Sequence, residues 1–243
     1  MKWESMSPLA QKQMKRAAEI DQSCIDCHKG IAHHLPEMGT ARAPELIAEV
    51  GAGVSSLETN QTYYSALTKP LFFSEKGDVE AGTLNVATKV KVLETQGKRI
   101  KIGIDGWRKK IGAGRVIYMD FGVNILSAQL SKDAAETEGV IQTFEEKEDP
   151  MTGLKWQRVE AQIWTDKDYL LTELQPLWGY ARDTFRSSCS VCHTQPDEAH
   201  FDANTWPGMF QGMLAFVNMD QDTQALVQKY LQEHSSTFVK KEH

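Results

Sequence analysis

The sequence predicts an α+β protein in which a small β-barrel lies between two helical segments. Two features of the 243-residue chain predict it: the middle alternates apolar and polar residues with a period of two, whereas both ends carry apolar residues at helical spacing. Turns that contain glycine join the alternating stretches, as is typical of β-hairpins. The predicted segments are residues 1–57 (helical), 58–170 (β, with its core at 78–170) and 171–243 (all-α).

Apolar stripes at helical spacing predict several helices outside the middle segment. Pro44 begins a short one, and the small and polar residues over 51–57 predict a linker after it. After Tyr169 a stripe of leucines runs towards Phe185, which predicts a longer helix. The predicted helices cover residues 7–23, 44–50, 169–185, 203–216 and 223–234.

The middle segment predicts two β-hairpins, and each of them ends in a tryptophan, Trp107 or Trp164. This repetition indicates a degenerate internal repeat. Two more strands are predicted between the hairpins. The strands of the hairpins are residues 89–94 with 99–104, and 139–145 with 154–164, and the strands between them are residues 115–121 and 123–130.

The first hairpin resembles a known fold family. Its sequence, VKVLETQGKRIKIGIDGW, is similar to the core of bacterial SH3-like barrels, which implies an SH3-like β-barrel module. A generic two-hairpin sheet is the alternative. Because these strands bring their own tryptophan and branched aliphatic residues, we expect residues 78–170 to fold on their own.

All four cysteines of the chain lie in two copies of one motif, Cys-x-x-Cys-His. This motif attaches c-type haem: the two thiols form thioethers and the adjacent histidine is the proximal iron ligand. The sequence therefore predicts two covalently bound haem c groups. The two copies consist of Cys24, Cys27 and His28, and of Cys189, Cys192 and His193.

Three other interpretations of the cysteines compete with haem attachment. A thioredoxin-like redox pair would begin a helix after a strand, and it would rarely be duplicated with a histidine each time. A shared zinc site of four thiolates would leave His28 and His193 unexplained. Disulfides across a two-residue gap would close a strained ring. Haem attachment accounts for all six residues.

The composition narrows the partners and the compartment. With a net charge of −6 and no basic cluster, the chain is not expected to bind nucleic acid, and no run of 18 apolar residues predicts a membrane span. In bacteria, c-type haem is attached outside the cytoplasmic membrane, so we expect a periplasmic protein. Residues 1–5 show no apolar signal region, so we expect a removed leader or a longer parent chain.

A low-spin haem also needs a sixth ligand. For the second haem the candidates are Met213 and His200; Met213 follows Trp206 by seven residues, a spacing found in small monohaem domains. For the first haem, His33 and His34 follow His28 by only five and six residues. The chain between them is too short to reach the other side of the porphyrin without a sharp reversal. His33 or His34 is therefore expected to be a ligand either of a different haem or of its own.

Both haem segments resemble known families. The segment CIDCHKGIAHHLPEM is similar to the fourth haem motif of the NapC/NirT family of membrane-anchored multihaem quinol dehydrogenases, and this resemblance implies that His33 is a distal ligand to another haem. The segment from Cys189 onward resembles the extra haem domain of TorC-type pentahaem cytochromes. These cytochromes are electron donors to periplasmic trimethylamine N-oxide reductases, which are molybdenum enzymes.

The resemblance implies that the chain is the C-terminal portion of such a cytochrome, separated here from its membrane-anchored N-terminal multihaem part. The expected function is electron transfer from the quinol-pool side to a terminal reductase of trimethylamine N-oxide or a related N- or S-oxide, without enzymatic activity of its own. A sensor protein is a further expected partner. The alternatives are a dihaem peroxidase-like enzyme and a sensory or regulatory peptide-binding module; a high-spin absorption spectrum with peroxide turnover would favour the peroxidase.

Overall fold

The computed structural model describes residues 44–112, 114–189, 195–217 and 219–239. Within these ranges it has both strands and helices, which confirms the α+β class. The strands are β1 (Thr62–Ser65), β2 (Lys69–Phe72), β3 (Glu80–Leu84), β4 (Lys89–Gln96), β5 (Arg99–Lys109), β6 (Val116–Tyr118), β7 (Leu126–Leu130), β8 (Ile141–Glu148), β9 (Lys155–Asp166) and β10 (Leu170–Leu171). The helices are α1 (Pro44–Val50), α2 (Lys132–Glu136), α3 (Gln175–Cys189), α4 (Trp206–Leu214) and α5 (Gln221–Glu233), with a 3-10 turn at Glu198–His200.

Six antiparallel strands close into a barrel in the order β5, β6, β7, β3, β2 and β9, and β9 returns to β5. The closing pair is the longest in the sheet, since it runs from Arg99 opposite Asp166 to Lys109 opposite Trp156. Strands β4, β1 and β10 extend the sheet beyond β5, and β8 lies beside β9. Closure pairs the edges that an open sheet would leave exposed.

The two predicted hairpins are confirmed as β4 with β5 and as β8 with β9, and the two strands between them are confirmed as the shorter β6 and β7. Strands β1 to β3 and β10 were not predicted. The helix predicted over 169–185 is wrong at its start, because Leu170 and Leu171 pair with β1 as β10 and the helix begins only at Gln175. Strand β2 carries Lys69, which breaks the apolar pattern although it is only 3% exposed, and Pro70. Strand β3 carries Gly82, where a Cβ atom would lie 2.3 Å from the carbonyl oxygen of Gln129, so that only glycine fits.

Lys69, the buried lysine of β2, is held by backbone carbonyl groups at and just after the end of β9. Its Nζ donates hydrogen bonds to the carbonyl oxygens of Asp166 and Asp168. Burial of an ammonium group is tolerated when it is hydrogen-bonded in this way. Lys69 therefore ties β2 to the end of β9, the strand beside it in the ring.

The barrel interior is filled by branched aliphatic side chains, and a second core lies between the β module and the helices. This second core combines residues of the β segment with residues of α1, α3, α4 and α5. Burial of these side chains on both sides stabilises the packing of the helices on the β segment. Its fully buried members include Leu46, Leu67, Phe185, Trp206, Phe210 and Leu226.

Polar side chains of α5 reinforce this packing. Asp222 accepts a hydrogen bond from the backbone N–H of Thr68 at 2.8 Å, and Gln232 donates to the carbonyl oxygen of Asn124 at 3.2 Å. Between them, the fully buried Lys229 donates to the Thr88 hydroxyl at 2.9 Å. Helix α5 is thus fixed to the β segment at three successive positions along its length.

The closed ring predicts which part of the β segment can fold alone. Residues 58–170 contain all six strands of the barrel, whereas residues 78–170 lack β2 and leave β3 and β9 without their shared neighbour. The expectation from the sequence that residues 78–170 fold on their own does not agree with this ring, because β2 lies outside them. We expect the fragment 58–170 to give a β-type circular dichroism spectrum and a cooperative thermal transition, and the fragment 78–170 to give neither. Equal melting curves for the two fragments would show that closure through β2 is not needed.

Candidate haem-binding site

The first haem motif, with Cys24, Cys27, His28 and the predicted ligand His33, lies outside the described residues. In the second motif, Cys189 is the last residue of α3, while the side chain of Cys189 and residues 190–194 lie outside them. The structure therefore describes the helix that leads into the second motif and the segments that follow it.

Helix α3 delivers the chain to the second motif from the helical core. Leu177, Ala181 and Phe185 are fully buried at intervals of four residues, which places them on one face of the helix. Phe185, in the last turn, meets the ring of Trp206 edge-on at 6.0 Å. The end of α3 that carries Cys189 is therefore packed against the first turn of α4.

Trp206 is the centre of this contact. Its ring is fully buried and also meets Phe201 edge-on at 5.0 Å, and its indole N–H donates to the carbonyl oxygen of Glu198 at 2.8 Å. Edge-to-face packing of this kind adds to the free energy of burial. The residues before and after the second haem motif are thus held by one tryptophan.

A carboxylate orders the turn just before helix α4, whose N-cap residue Thr205 makes no side-chain capping hydrogen bond. Asp202 accepts hydrogen bonds from the hydroxyl of Thr205 at 2.6 Å and from the backbone N–H groups of Asn204 and Thr205. The Thr205 hydroxyl, followed by these backbone donors, lowers the pKa of Asp202. The helix predicted over residues 203–216 is confirmed but is shorter, since it runs from Trp206 to Leu214.

One side of α4 is apolar and uncovered in the described structure. Met209 is 44% exposed and Phe216 is 54% exposed, and Cβ atoms built on Gly208 and Gly212 would meet no atom within 4 Å. Met213 lies between this open flank and the helical core, against which it is partly buried. We call Met209, Gly212 and Phe216 the open flank of α4.

The open flank fits a haem group. A porphyrin is flat and largely apolar, and exposed apolar surface next to small residues is the kind of surface that a ligand covers. The donor set of the second motif, two thiols and an imidazole, is the set that holds haem c. Met213 borders the flank, so its thioether is available on that side of the helix.

The two sequence-predicted sixth ligands differ in their surroundings. Met213 is half-buried beside the open flank, whereas His200 is exposed on the 3-10 turn and meets the ring of Phe201 edge-on at 4.5 Å. Another histidine, His234, is held away from solvent by Trp178 and by a hydrogen bond from its Nδ1 to the carbonyl oxygen of Tyr230 at 2.8 Å. Of the two candidates, Met213 thus packs against the helical core and His200 faces solvent.

Sequence reasoning missed one functional candidate, Glu198. Its carboxylate accepts a hydrogen bond from the Tyr230 hydroxyl at 3.0 Å and lies 3.8 Å from the guanidinium of Arg186. Burial, followed by this hydrogen bond, raises the pKa of Tyr230 to about 12, so the phenol remains a donor at neutral pH. A glutamate in a polar loop has no sequence signal for such contacts, since both partners are distant in the chain.

The described part of the chain has neither a membrane-spanning helix nor a cluster of metal-binding side chains. It contains no helix long and apolar enough to cross a membrane. No group of three or more His, Cys, Asp or Glu side chains in those ranges could hold a metal ion.

Comparison with known proteins gives two family matches. A family model described as the TorC third cytochrome c domain matches residues 57–170, and the model of the N-terminal region of the NapC/NirT cytochrome c family matches residues 1–38. The first of these segments contains the whole barrel and no cysteine. Any thioether to haem in this chain must therefore come from the residues on either side of the barrel.

Curated relatives match almost the entire chain. It is 37% identical to the cytochrome c-type protein TorC of Escherichia coli K12 over 237 residues, which are 97% of the chain and 59% of the relative. It is 28% identical to the cytochrome c-type protein TorY of Escherichia coli O157:H7 over 240 residues, 98% of the chain and 62% of the relative. The chain spans about three-fifths of the length of these relatives. No solved structure matches it.

The two family models and the curated relatives are all c-type cytochromes, and the chain carries two copies of the motif that attaches haem c. It is therefore similar to c-type cytochromes as a class, and within that class to the TorC-like cytochromes over 97% of its length.

Proposed function

We propose that the chain is a periplasmic cytochrome with two covalently bound haem c groups that transfers electrons to a terminal reductase of trimethylamine N-oxide or a related N- or S-oxide. The observation that carries the proposal is the second haem motif. It begins at the end of α3, where Phe185 packs on α4, and α4 has an uncovered apolar flank with a methionine beside it.

Each residue of the second motif has a role in this proposal. Cys189 and Cys192 form the thioethers, and His193 is the proximal ligand. Met213 is the sixth ligand, because it borders the open flank. His200 is exposed on the 3-10 turn after the motif and is not assigned as a ligand. When it is bound, the haem iron supplies a one-electron redox couple whose potential depends on its axial ligands.

The other haem of the proposal is attached at the first motif. Cys24 and Cys27 attach the haem, His28 is its proximal ligand, and His33 is a distal ligand to another haem in the longer parent protein. This assignment rests on the motif and on the NapC/NirT match over residues 1–38. The electrons then come from a membrane-anchored multihaem part on the quinol-pool side.

The barrel and the surface charge bear on the partners. We assign the six-stranded barrel to the SH3-like type on the resemblance of the β4–β5 hairpin, of which β5 is a strand of the barrel. Residues 171–239 contain eight acidic and three basic residues, and one of the basic ones, Lys229, is buried. An acidic surface favours docking to a basic rim on the molybdenum reductase. A sensor protein is a second partner for the same chain.

Intact mass spectrometry of the matured chain tests the haem content. We expect two identical mass increments above the polypeptide, and one increment in the variant Cys189→Ala/Cys192→Ala. The matched variant Cys24→Ala/Cys27→Ala should also retain one increment. An unmodified wild-type mass, after maturation in a host that attaches haem c, would overturn the proposal.

Stopped-flow reoxidation tests the electron acceptor. The reduced chain is mixed with a trimethylamine N-oxide reductase and its substrate, and we expect haem oxidation that requires both. The rate constant for association should fall as ionic strength rises, because the docking is electrostatic. Reoxidation at the same rate without the reductase would contradict the proposed partner.

A further inference from the structure

Glu198 connects three separate helices through one residue. Its carboxylate accepts a hydrogen bond from Tyr230 of α5 and lies near Arg186 of α3, and its carbonyl oxygen accepts the indole N–H of Trp206 of α4. Its side chain is 14% exposed, while that of Arg186 is 61% exposed. The carboxylate is therefore shielded from water more than its cationic partner.

These contacts enclose the second haem motif in the sequence. Arg186 lies one helical turn before Cys189, and Glu198 lies five residues after His193. The backbone that enters the motif and the backbone that leaves it therefore meet at Glu198. The 3-10 turn that begins with Glu198 is itself capped by Asp197, which accepts a hydrogen bond from the N–H of Ala199 at 2.9 Å.

A shielded carboxylate that follows a haem-attachment motif by five residues has a predictable effect on the potential of that haem if folding brings the two together. Negative charge stabilises the ferric state, which carries one more positive charge than the ferrous state, and the interaction is stronger where water is excluded. Arg186 offsets part of this charge, but its exposed guanidinium is screened by solvent. The protein can tune a haem potential through hydrogen bonds and burial of this kind.

We propose that Glu198 is a positioning residue that joins the segments before and after the second haem motif and lowers the reduction potential of the haem attached at Cys189 and Cys192. The inference rests on the proposed function, because it concerns the haem of the second motif. The inference assigns to Glu198, which is not an iron ligand, an effect on the reduction potential of this haem.

The test is a spectroscopic redox titration of the haem-loaded full chain. Glu198→Gln keeps the shape of the side chain and an acceptor for Tyr230 but removes the charge. At a fixed ambient potential we expect the ferrous-to-ferric ratio of this haem to rise about fivefold, which corresponds to about 40 mV, since a tenfold change is 59 mV for one electron. Glu198→Asp retains the charge and should restore the wild-type potential.

Two further variants separate a charge effect from general loosening. Asp183→Asn on α3 makes the same change in net charge at a side chain that is 72% exposed, and it should change the ratio less than twofold. Tyr230→Phe removes the hydrogen bond that offsets the carboxylate, so the potential should move in the opposite direction to that of Glu198→Gln. If the variants acted only by loosening the helix packing, Glu198→Gln and Tyr230→Phe would shift the potential in the same direction.

The outcomes distinguish this inference from the proposed function. A wild-type ratio for Glu198→Gln with full haem content, or shifts of the same sign for Glu198→Gln and Tyr230→Phe, would overturn the role of Glu198 and leave the cytochrome assignment intact. Absence of haem from the matured wild-type chain would instead overturn the proposed function.

Discussion

Replacing Met213 by alanine is expected to convert the haem attached at Cys189 and Cys192 from low-spin to high-spin. Met213 is the proposed sixth ligand, and removal of its thioether leaves the iron without that ligand. The measurement is the absorption spectrum of the ferric protein, in which the weak far-red band of a methionine–iron bond should disappear.

Met213→His gives the complementary result. Imidazole restores the low-spin state but lowers the potential relative to a thioether, because methionine ligation stabilises the ferrous form. The control is His200→Ala, which should preserve both the spectrum and the potential since His200 is exposed. A high-spin spectrum in His200→Ala, together with an unchanged spectrum in Met213→Ala, would mean that this haem is bis-histidine.

Replacing Lys229 by alanine is expected to lower the free energy of unfolding by about 2–5 kcal/mol, because it leaves two buried hydrogen-bond acceptors unpaired and opens a cavity in place of the lysine stem. Lys229 is 2% exposed, and its Nζ donates to the carbonyl oxygen of Val86 at 3.1 Å and to the Thr88 hydroxyl at 2.9 Å. Glu233, one turn further along α5, would lose its cationic partner. Urea unfolding followed by circular dichroism measures the effect.

The double variant Lys229→Met/Glu233→Gln serves as the control for this result. Methionine fills the space of the lysine stem, and glutamine removes the carboxylate that would otherwise stay unpaired, so less than half of the loss is expected. Equal losses in the single and double variants would show that the pair contributes through packing alone. Exposed Lys89 of β4, changed to alanine, should alter the free energy by no more than about 0.5 kcal/mol.

The pH dependence of unfolding provides an independent measurement on the same residue. Burial lowers the pKa of Lys229 from 10.5 to about 8 and raises the pKa of Glu233. Between pH 8 and 10.5 the unfolded lysine binds a proton that the folded one has released, so the free energy of unfolding rises with pH through this window. In Lys229→Met this rise should be absent.

The part of the fold that could be predicted is the part whose signal is local. The hairpin β4–β5 has its alternating residues and its turn within 18 residues, and α5 carries its apolar stripe within 13. The attachment motif is more compact still, since five consecutive residues from Cys189 to His193 specify covalent haem chemistry. Such signals survive because they do not depend on how the distant chain is arranged.

The sequence by itself therefore determined the class of the protein, the two attachment motifs, the β-barrel in the middle and the helices after it. Only the tertiary structure decided that β2 completes the ring, because Lys69 becomes compatible with burial only when Asp166 and Asp168 bring their carbonyl oxygens to it from nearly a hundred residues away. It likewise decided the position of Glu198, whose partners come from three helices. A polar residue in a sequence looks solvent-exposed until folding supplies its partners, and the free energy that buries it is a property of those contacts and not of the residue.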